Sequence, residues 1–153
     1  MQVKKISNVV SCVEAMEQIA RTWLDDATRL VLGQVQQNTR VDTSATKLSW
    51  DRVVEDTKGY VGSPNINAIW EEFGTGVYAK DGRKSPWYVP VDGYLGHKKP
   101  TFNGKVCVVY GKNGQKFYKT DGKKGTHAFM NAHDSTLPAI ERRLKMLCAE
   151  KMQ

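Results

Sequence analysis

No run of this chain approaches the roughly 18–20 uninterrupted apolar residues needed to cross a bilayer. The N-terminus, Met1-Gln2-Val3-Lys4-Lys5-Ile6-Ser7-Asn8, lacks the apolar stretch of about 7–15 residues that a secretory signal carries after its lysines. Cysteine is scarce and odd in number: Cys12, Cys107 and Cys148 stand far apart, which excludes a disulfide scaffold and suits a reducing compartment. Five prolines and 13 glycines in 153 residues argue against a collagen-like chain, and 40% hydrophobic content argues against a disordered one. Internal repeats and low-complexity tracts are missing. The expectation is one soluble, intracellular domain over residues 1–153, large enough to bury its own core.

Catalytic and cofactor signatures are missing as well. There is no G-x-x-x-x-G-K-[ST] loop and no H-E-x-x-H or C-x-x-C spacing. Gly74-Thr75-Gly76-Val77-Tyr78-Ala79 satisfies G-x-G-x-x-G/A, but Lys80-Asp81-Gly82-Arg83-Lys84-Ser85-Pro86 follows and cannot open the helix that dinucleotide binding requires. His127, His133 and Asp134 lack metal-ligand spacing and read as surface or capping groups. Ser44, Ser49 or Ser63 would need a histidine brought beside them to act as nucleophiles. Glu71 and Glu72 read as neighbours on a strand, facing apart, and so a poor acid–base pair. Cys12 and Cys148 fall in amphipathic helices, where a small buried thiol is ordinary. The expectation is no enzyme, no cofactor, no metal and no catalytic residue.

What is present is charge of one sign in one place. The net charge is +7, yet the stretch from Lys80 to Gly125 alone holds eleven Lys/Arg against three acids, leaving twelve basic and thirteen acidic residues elsewhere. Such a field can steer a chain to nucleic acid or to an acidic protein surface. The bland alternative is a solvated loop kept soluble by lysine. Lys84, Lys98, Lys99, Lys112, Lys123 and Lys124 are the candidate partner- or DNA-facing residues. Trp50, Trp70, Phe73, Trp87, Tyr88 and Phe129 suit core or interface better than base stacking, for which only Lys116-Phe117-Tyr118-Lys119 shows basic and aromatic residues interleaved.

Periodicity supplies the architecture. Ser11-Cys12-Val13-Glu14 has capping-box form, and Val13, Met16, Ala20, Trp23, Ala27 and Leu30 then recur at steps of three and four. The predicted helix runs to about Asn38, roughly 25 residues and 40 Å, longer than a small core spans, so part of it is left to pack on something else. Leu48, Trp50, Val53 and Val54 give strand signals, with a turn at Thr57-Lys58 before Gly59-Tyr60-Val61-Gly62. Trp87 to Val91 is a β-prone run whose Pro90 favours a sheet edge. Val106 to Tyr110 and Lys116 to Thr120 flank a Gly111-Lys112-Asn113-Gly114 turn, the clearest hairpin. The rest of Ala79 to Gly104 reads as exposed loop. Asp134 is the expected cap of a final helix, with Pro138 in its first turn and Leu137, Ile140, Leu144 and Leu147 as its stripe. The fold class is α+β: a long N-terminal and a C-terminal helix packed on a mainly antiparallel sheet, with an exposed basic loop and hairpin region at about residues 79–125.

Four strings, in order, resemble the tail-completion (head–tail joining, minor capsid) proteins of long-tailed bacteriophages. Arg40-Val41-Asp42-Thr43-Ser44-Ala45-Thr46-Lys47-Leu48-Ser49-Trp50 resembles P-V-D-T-G-x-L-[RK]-x-S, placed after a long helix. Tyr60-Val61-Gly62-Ser63 is similar to a strand ending V-G-[ST]. Ile69-Trp70-Glu71-Glu72-Phe73-Gly74-Thr75-Gly76 resembles Y-x-x-[YW]-x-E-F-G-T-G, the most specific of the four. Gly125 to Ala132 is similar to A-[KR]-P-F-[ML]-x-P-A ahead of the last helix. Ser44 stands in place of the turn glycine with one extra residue after it, Ala128 and Ala132 in place of prolines, and the Ala79–Lys124 stretch is longer than the usual connection. The resemblance implies an α+β protein of the virion neck, assembled in the host cytoplasm. Its expected role is a non-enzymatic adaptor that forms a ring, commonly sixfold. Expected partners are further copies of itself, the head connector or adaptor, and the tail terminator or tail tube. A non-specific contact with packaged DNA is also expected, and no membrane. The alternative is a basic nucleic-acid-binding module.

Overall fold

A computed structural model describes residues 2–41, 44–80 and 85–151, with 2–8 described by backbone alone. Helix α1 spans Gln2–Asn38, 37 residues and so about 55 Å. It passes straight through Ser11, which is therefore no cap. Nothing from Gln2 onward breaks a helix, and Gly33, the one weak point, faces open space. At the far end Thr39 closes the last turn by donating its N–H and its hydroxyl to Val35 O, at 2.9 and 2.7 Å. The Trp50 indole N–H then donates to the Thr39 hydroxyl at 3.0 Å.

Helix α4 (Ala128–Lys151) lies antiparallel along α1. Its N-terminal end meets Asn38, whose amide donates to Ala128 O at 3.1 Å, and its C-terminal end reaches Gln18 through Lys151. Between them the Trp23 indole donates to Ile140 O at 2.9 Å and Arg143 pairs with Asp26 at 2.7 Å. Val31, Val35, Trp50, Ala68, Ala132 and Ile140 form the core, with Trp23, Ala27, Leu32, Val61 and Phe129 packed on it. The expected α1 stripe is thus covered only in part. Trp23 and Ala27 pack, whereas Val13, Met16, Ala20 and Leu30 are exposed.

The start of α4 corrects the expected cap. The helix begins six residues before Asp134, so Pro138 lies well inside it. Pro138 sits on the exposed face, and its ring leaves the Asp134 carbonyl without its helical N–H partner. The stripe also shifts: Ile140 and Leu147 are buried, Leu144 is half-buried and Leu137 exposed.

Leu48, expected on a strand, belongs instead to a short exposed helix, α2 (Ala45–Leu48). Ser44 before it takes a left-handed backbone at φ 63°, the conformation that a turn glycine adopts freely. Strands β1 (Asp51–Glu55) and β2 (Lys58–Gly62) pair antiparallel from Asp51↔Gly62 to Glu55↔Lys58 around the turn residues Asp56 and Thr57. This hairpin packs on α1. A Cβ at Gly59 would come 2.6 Å from the Thr28 methyl, so glycine there permits the close approach. Arg52 reaches Asp25 at 2.6 Å and fixes the register against the helix.

The second sheet has the order β3–β5–β4, all antiparallel: β3 (Trp87–Pro90), β4 (Cys107–Tyr110) and β5 (Lys116–Thr120). Pro90 sits on an edge strand, as its missing N–H requires. The Gly111–Gly114 turn closes with Gly111 N–H on Gln115 O at 2.8 Å. Tyr94 packs edge-on against Tyr118, and Lys119 lies 4.1 Å over the Phe102 ring. The class is α+β, two long helices with two antiparallel sheets. Among the described residues no helix is long and apolar enough to cross a membrane.

Candidate functional site

Glu71 and Glu72 are on a helix, not a strand: α3 spans Ile66–Phe73, its start capped by Asn65 Oδ1 accepting from Asn67 N–H at 3.0 Å. Both carboxylates are buried, and all four of their oxygens accept. Glu71 takes Lys123 Nζ at 3.2 Å on one oxygen, and Arg40 Nε at 3.0 Å and the Thr126 hydroxyl at 3.3 Å on the other. Glu72 takes the backbone N–H groups of Phe129 and Met130 at 2.8 and 3.2 Å, donors that the first turn of α4 cannot satisfy itself. The cap that sequence reasoning sought in Asp134 comes from another helix, 57 residues earlier.

The glycine string after α3 locks onto the segment between β5 and α4. Gly74 and Gly76 both have positive φ, 75° and 62°. Thr75 N–H donates to Lys123 O at 2.8 Å, Lys123 N–H to the Thr75 hydroxyl at 2.9 Å, and Val77 N–H to Asp121 O at 2.8 Å. The approach is so close that a Cβ on Gly76 would drive into the Asp121 carbonyl, and one on Gly122 into that of Thr75. Sequence reasoning expected a tight turn at a sheet edge and missed this partner segment. The signal was the second glycine pair, Gly122 and Gly125, facing the first.

The outer side of α3 is different. Ile69, Trp70 and Phe73, with Ala79, Trp87 and the Gly74–Gly76 backbone, line an open groove of about 510 Å³. Trp70 and Trp87 meet edge to face with centroids 5.6 Å apart. Ile66, Ile69 and Phe73 are 56%, 53% and 41% exposed, an apolar face of a kind that soluble surfaces rarely leave bare. Neither buried glutamate lines it. A second bare apolar face lies on the first half of α1, where Val9 and Met16 are 63% and 64% exposed and Val10 and Val13 nearly as open.

Of the candidate lysines, Lys84 lies outside the described residues. Lys98, Lys99, Lys112, Lys123 and Lys124 are all exposed, but the fold does not gather them into one patch. Lys112 is at the β4–β5 turn, and the length of β5, about 17 Å, separates it from Lys123 and Lys124 beyond the other end. Lys98 and Lys99 approach that far end, because Thr101 O accepts from Asp121 N–H at 3.2 Å. Lys123 is engaged with Glu71, and Lys124 lies 5.6 Å over the Tyr78 ring.

The remaining candidates pair only locally. Ser49 and Ser63 hydroxyls bond each other at 2.7 Å. His133 Nδ1 is 3.0 Å from Asp134 on the exposed surface. Among the described residues no three His, Cys, Asp or Glu side chains converge. All three cysteines are unpaired thiols, and Cys12, read as an ordinary buried thiol of an amphipathic helix, is exposed. No family model matches this chain, and no curated protein or solved structure matches it.

Proposed function

We propose that the chain is a structural adaptor of the phage neck, a ring-forming subunit that links the head connector to the tail tube. The observation that supports it most is the pair of bare apolar faces, one on the first half of α1 and one on the outer side of α3. A subunit that keeps two such faces open is suited to being covered on both sides by neighbours, and repeated contacts of that kind close into rings. The four strings resembling tail-completion proteins supply the kind of ring. The string that resembles Y-x-x-[YW]-x-E-F-G-T-G coincides with α3 and its glycine lock, the segment that anchors the groove. A net charge of +7 opposes spontaneous association, so the free chain is a monomer or weak oligomer that closes its ring on a template.

Native mass spectrometry with and without purified tail tubes tests this. The expected result is a multimer of one stoichiometry that appears with the tubes. A chain that never co-sediments with tubes would sink the adaptor reading. The lysines at the Thr101–Asp121 end of the second sheet favour an added non-specific contact with packaged DNA, read out as binding that weakens steeply with salt.

A further inference from the structure

We infer that the first half of α1 seats in the α3 groove of a second copy of this chain, head to tail. At 100° per residue, Val9, Val13, Met16 and Ala20 share an arc of about 60°, and Trp23, Ala27 and Val31 prolong the same stripe. From Trp23 on, the stripe is covered by α4 and the core. Before Gln18, where Lys151 marks the end of α4, nothing among the described residues covers it. Val9 to Glu17 therefore stand clear of α4 over about 13 Å of helix. The bare stripe continues a packed interface, and its spacing of i, i+4 and i+7 is what a helix presents to an apolar groove.

Its own groove is out of reach. Glu72 caps the N-terminal end of α4, which Asn38 also contacts, so α3 lies at the opposite end of α1. Met16 and Asn38 are 22 residues apart on one unbroken helix, about 33 Å. A rigid helix cannot fold back over that span, so the occupant comes from another molecule.

Over the bare stripe itself, charge agrees with a second copy. Between Val9 and Ala20 the only charged residues are Glu14 and Glu17, both exposed, and Glu17 borders the stripe. Lys80, exposed and directly after Ala79 of the groove lining, donates its N–H to Phe73 O at 2.9 Å, and neither buried acid of α3 lines the groove. Because helix and groove are different surfaces, the contact is heterologous. Each copy offers one of each, and the chain of contacts closes or continues.

The inference deepens the ring reading and can fail separately from it. Val13→Asp with Met16→Asp disables the helix, and Ile69→Asp disables the groove; all three sites are exposed, and circular dichroism checks that each variant folds. In sedimentation at high protein concentration and low salt, the wild type should form a series of oligomers. Each variant alone should lose at least tenfold in association, and an equimolar mixture of the two should recover a dimer and nothing larger. Glu17→Lys should weaken association several-fold at low salt, and Lys80→Glu in the partner should restore it. Association surviving in the helix variant would overturn the inference, as would a groove variant that still dimerises through paired α1 helices, or a wild type monomeric at every concentration. If both Asp variants still join tail tubes, this interface is wrong and the adaptor stands. If the mixture behaves as described but no tube is ever bound, the adaptor is wrong and the interface stands.

Discussion

Two glycines set the limits of what single residues contribute. Gly33 lies inside α1 with open space where a Cβ would point, so it costs helix propensity and returns nothing in packing. Gly33→Ala should raise stability by about 0.5–1 kcal/mol, read as a melting-temperature rise of a few degrees. Gly122 is the opposite case, with φ 96° and the Thr75 carbonyl in the way of any side chain. Gly122→Ala should cost at least about 3 kcal/mol, through strain and through parting the two glycine segments. A melt showing both variants alike would mean that the lock is not tight. Asp25 adds a pH dependence. The hydrogen bond from Arg52, with the charges of Arg29 and Arg52 beside it, holds its carboxyl below the ordinary 3.8. A carboxyl lowered by folding favours the native state above its unfolded value and ceases to do so as pH falls through the folded one. Between about pH 5 and 2 the melting temperature should therefore fall more steeply in the wild type than in Asp25→Asn.

Between elements, the α1–α4 pair is the main joint, and its side chains are unequal. Trp23 loses packing and its bond to Ile140 O when truncated, and Ile140 leaves a buried void, so Trp23→Ala and Ile140→Ala should each cost about 2–5 kcal/mol. Leu144 is half-buried, and Leu144→Ala should cost clearly less; Val13→Ala and Met16→Ala should leave the monomer's melt within about 0.5 kcal/mol. Thermal melts of the set rank the positions, and a large loss at Met16 would show that the overhang packs within its own chain. The same contrast explains which elements the sequence disclosed. The β4–β5 hairpin was readable because a Gly-Lys-Asn-Gly turn and alternating strands are local signals, and Pro90 announced its edge strand for the same reason. The α1 stripe was readable as a stripe, but its coverage was not, since where α4 ends is a tertiary fact. The start of α4 was misread because its cap is Glu72, a group remote in sequence that no local pattern can nominate. α3 was misread for a related reason: eight residues are too few to show a helical period, and its two buried acids are stabilised by Arg40, Lys123 and the first turn of α4. The candidate site fared likewise. The glycine string was visible, whereas the groove beside it needed Trp87 brought to Trp70 across the fold.

For the whole molecule the question under the proposed adaptor role is what the basic segment contacts. Its charge is divided by the fold: Lys124 follows one end of the second sheet, Lys98 and Lys99 precede Thr101, which meets Asp121 at that end, Lys112 marks the other end, and Lys123 is committed to Glu71. Lys123 is therefore a poor choice for neutralisation, because removing it leaves a buried carboxylate with one cation fewer and costs stability. The informative variant is Lys98→Gln, Lys99→Gln and Lys124→Gln together, with Lys112→Gln as the control at the far end. Lysine acts as a mobile point charge, so a docking role to DNA or to an acidic ring is independent of sequence and is screened as the Debye length falls to about 3 Å near 1 M salt. The triple variant should melt like the parent but join particles several-fold less well at low salt, the difference vanishing at high salt, while Lys112→Gln joins normally. If the segment only keeps the chain soluble, the triple variant will aggregate more and yet join as well as the parent in low salt. A particle-joining assay at the two salt concentrations, with light scattering on the same samples, decides between those outcomes.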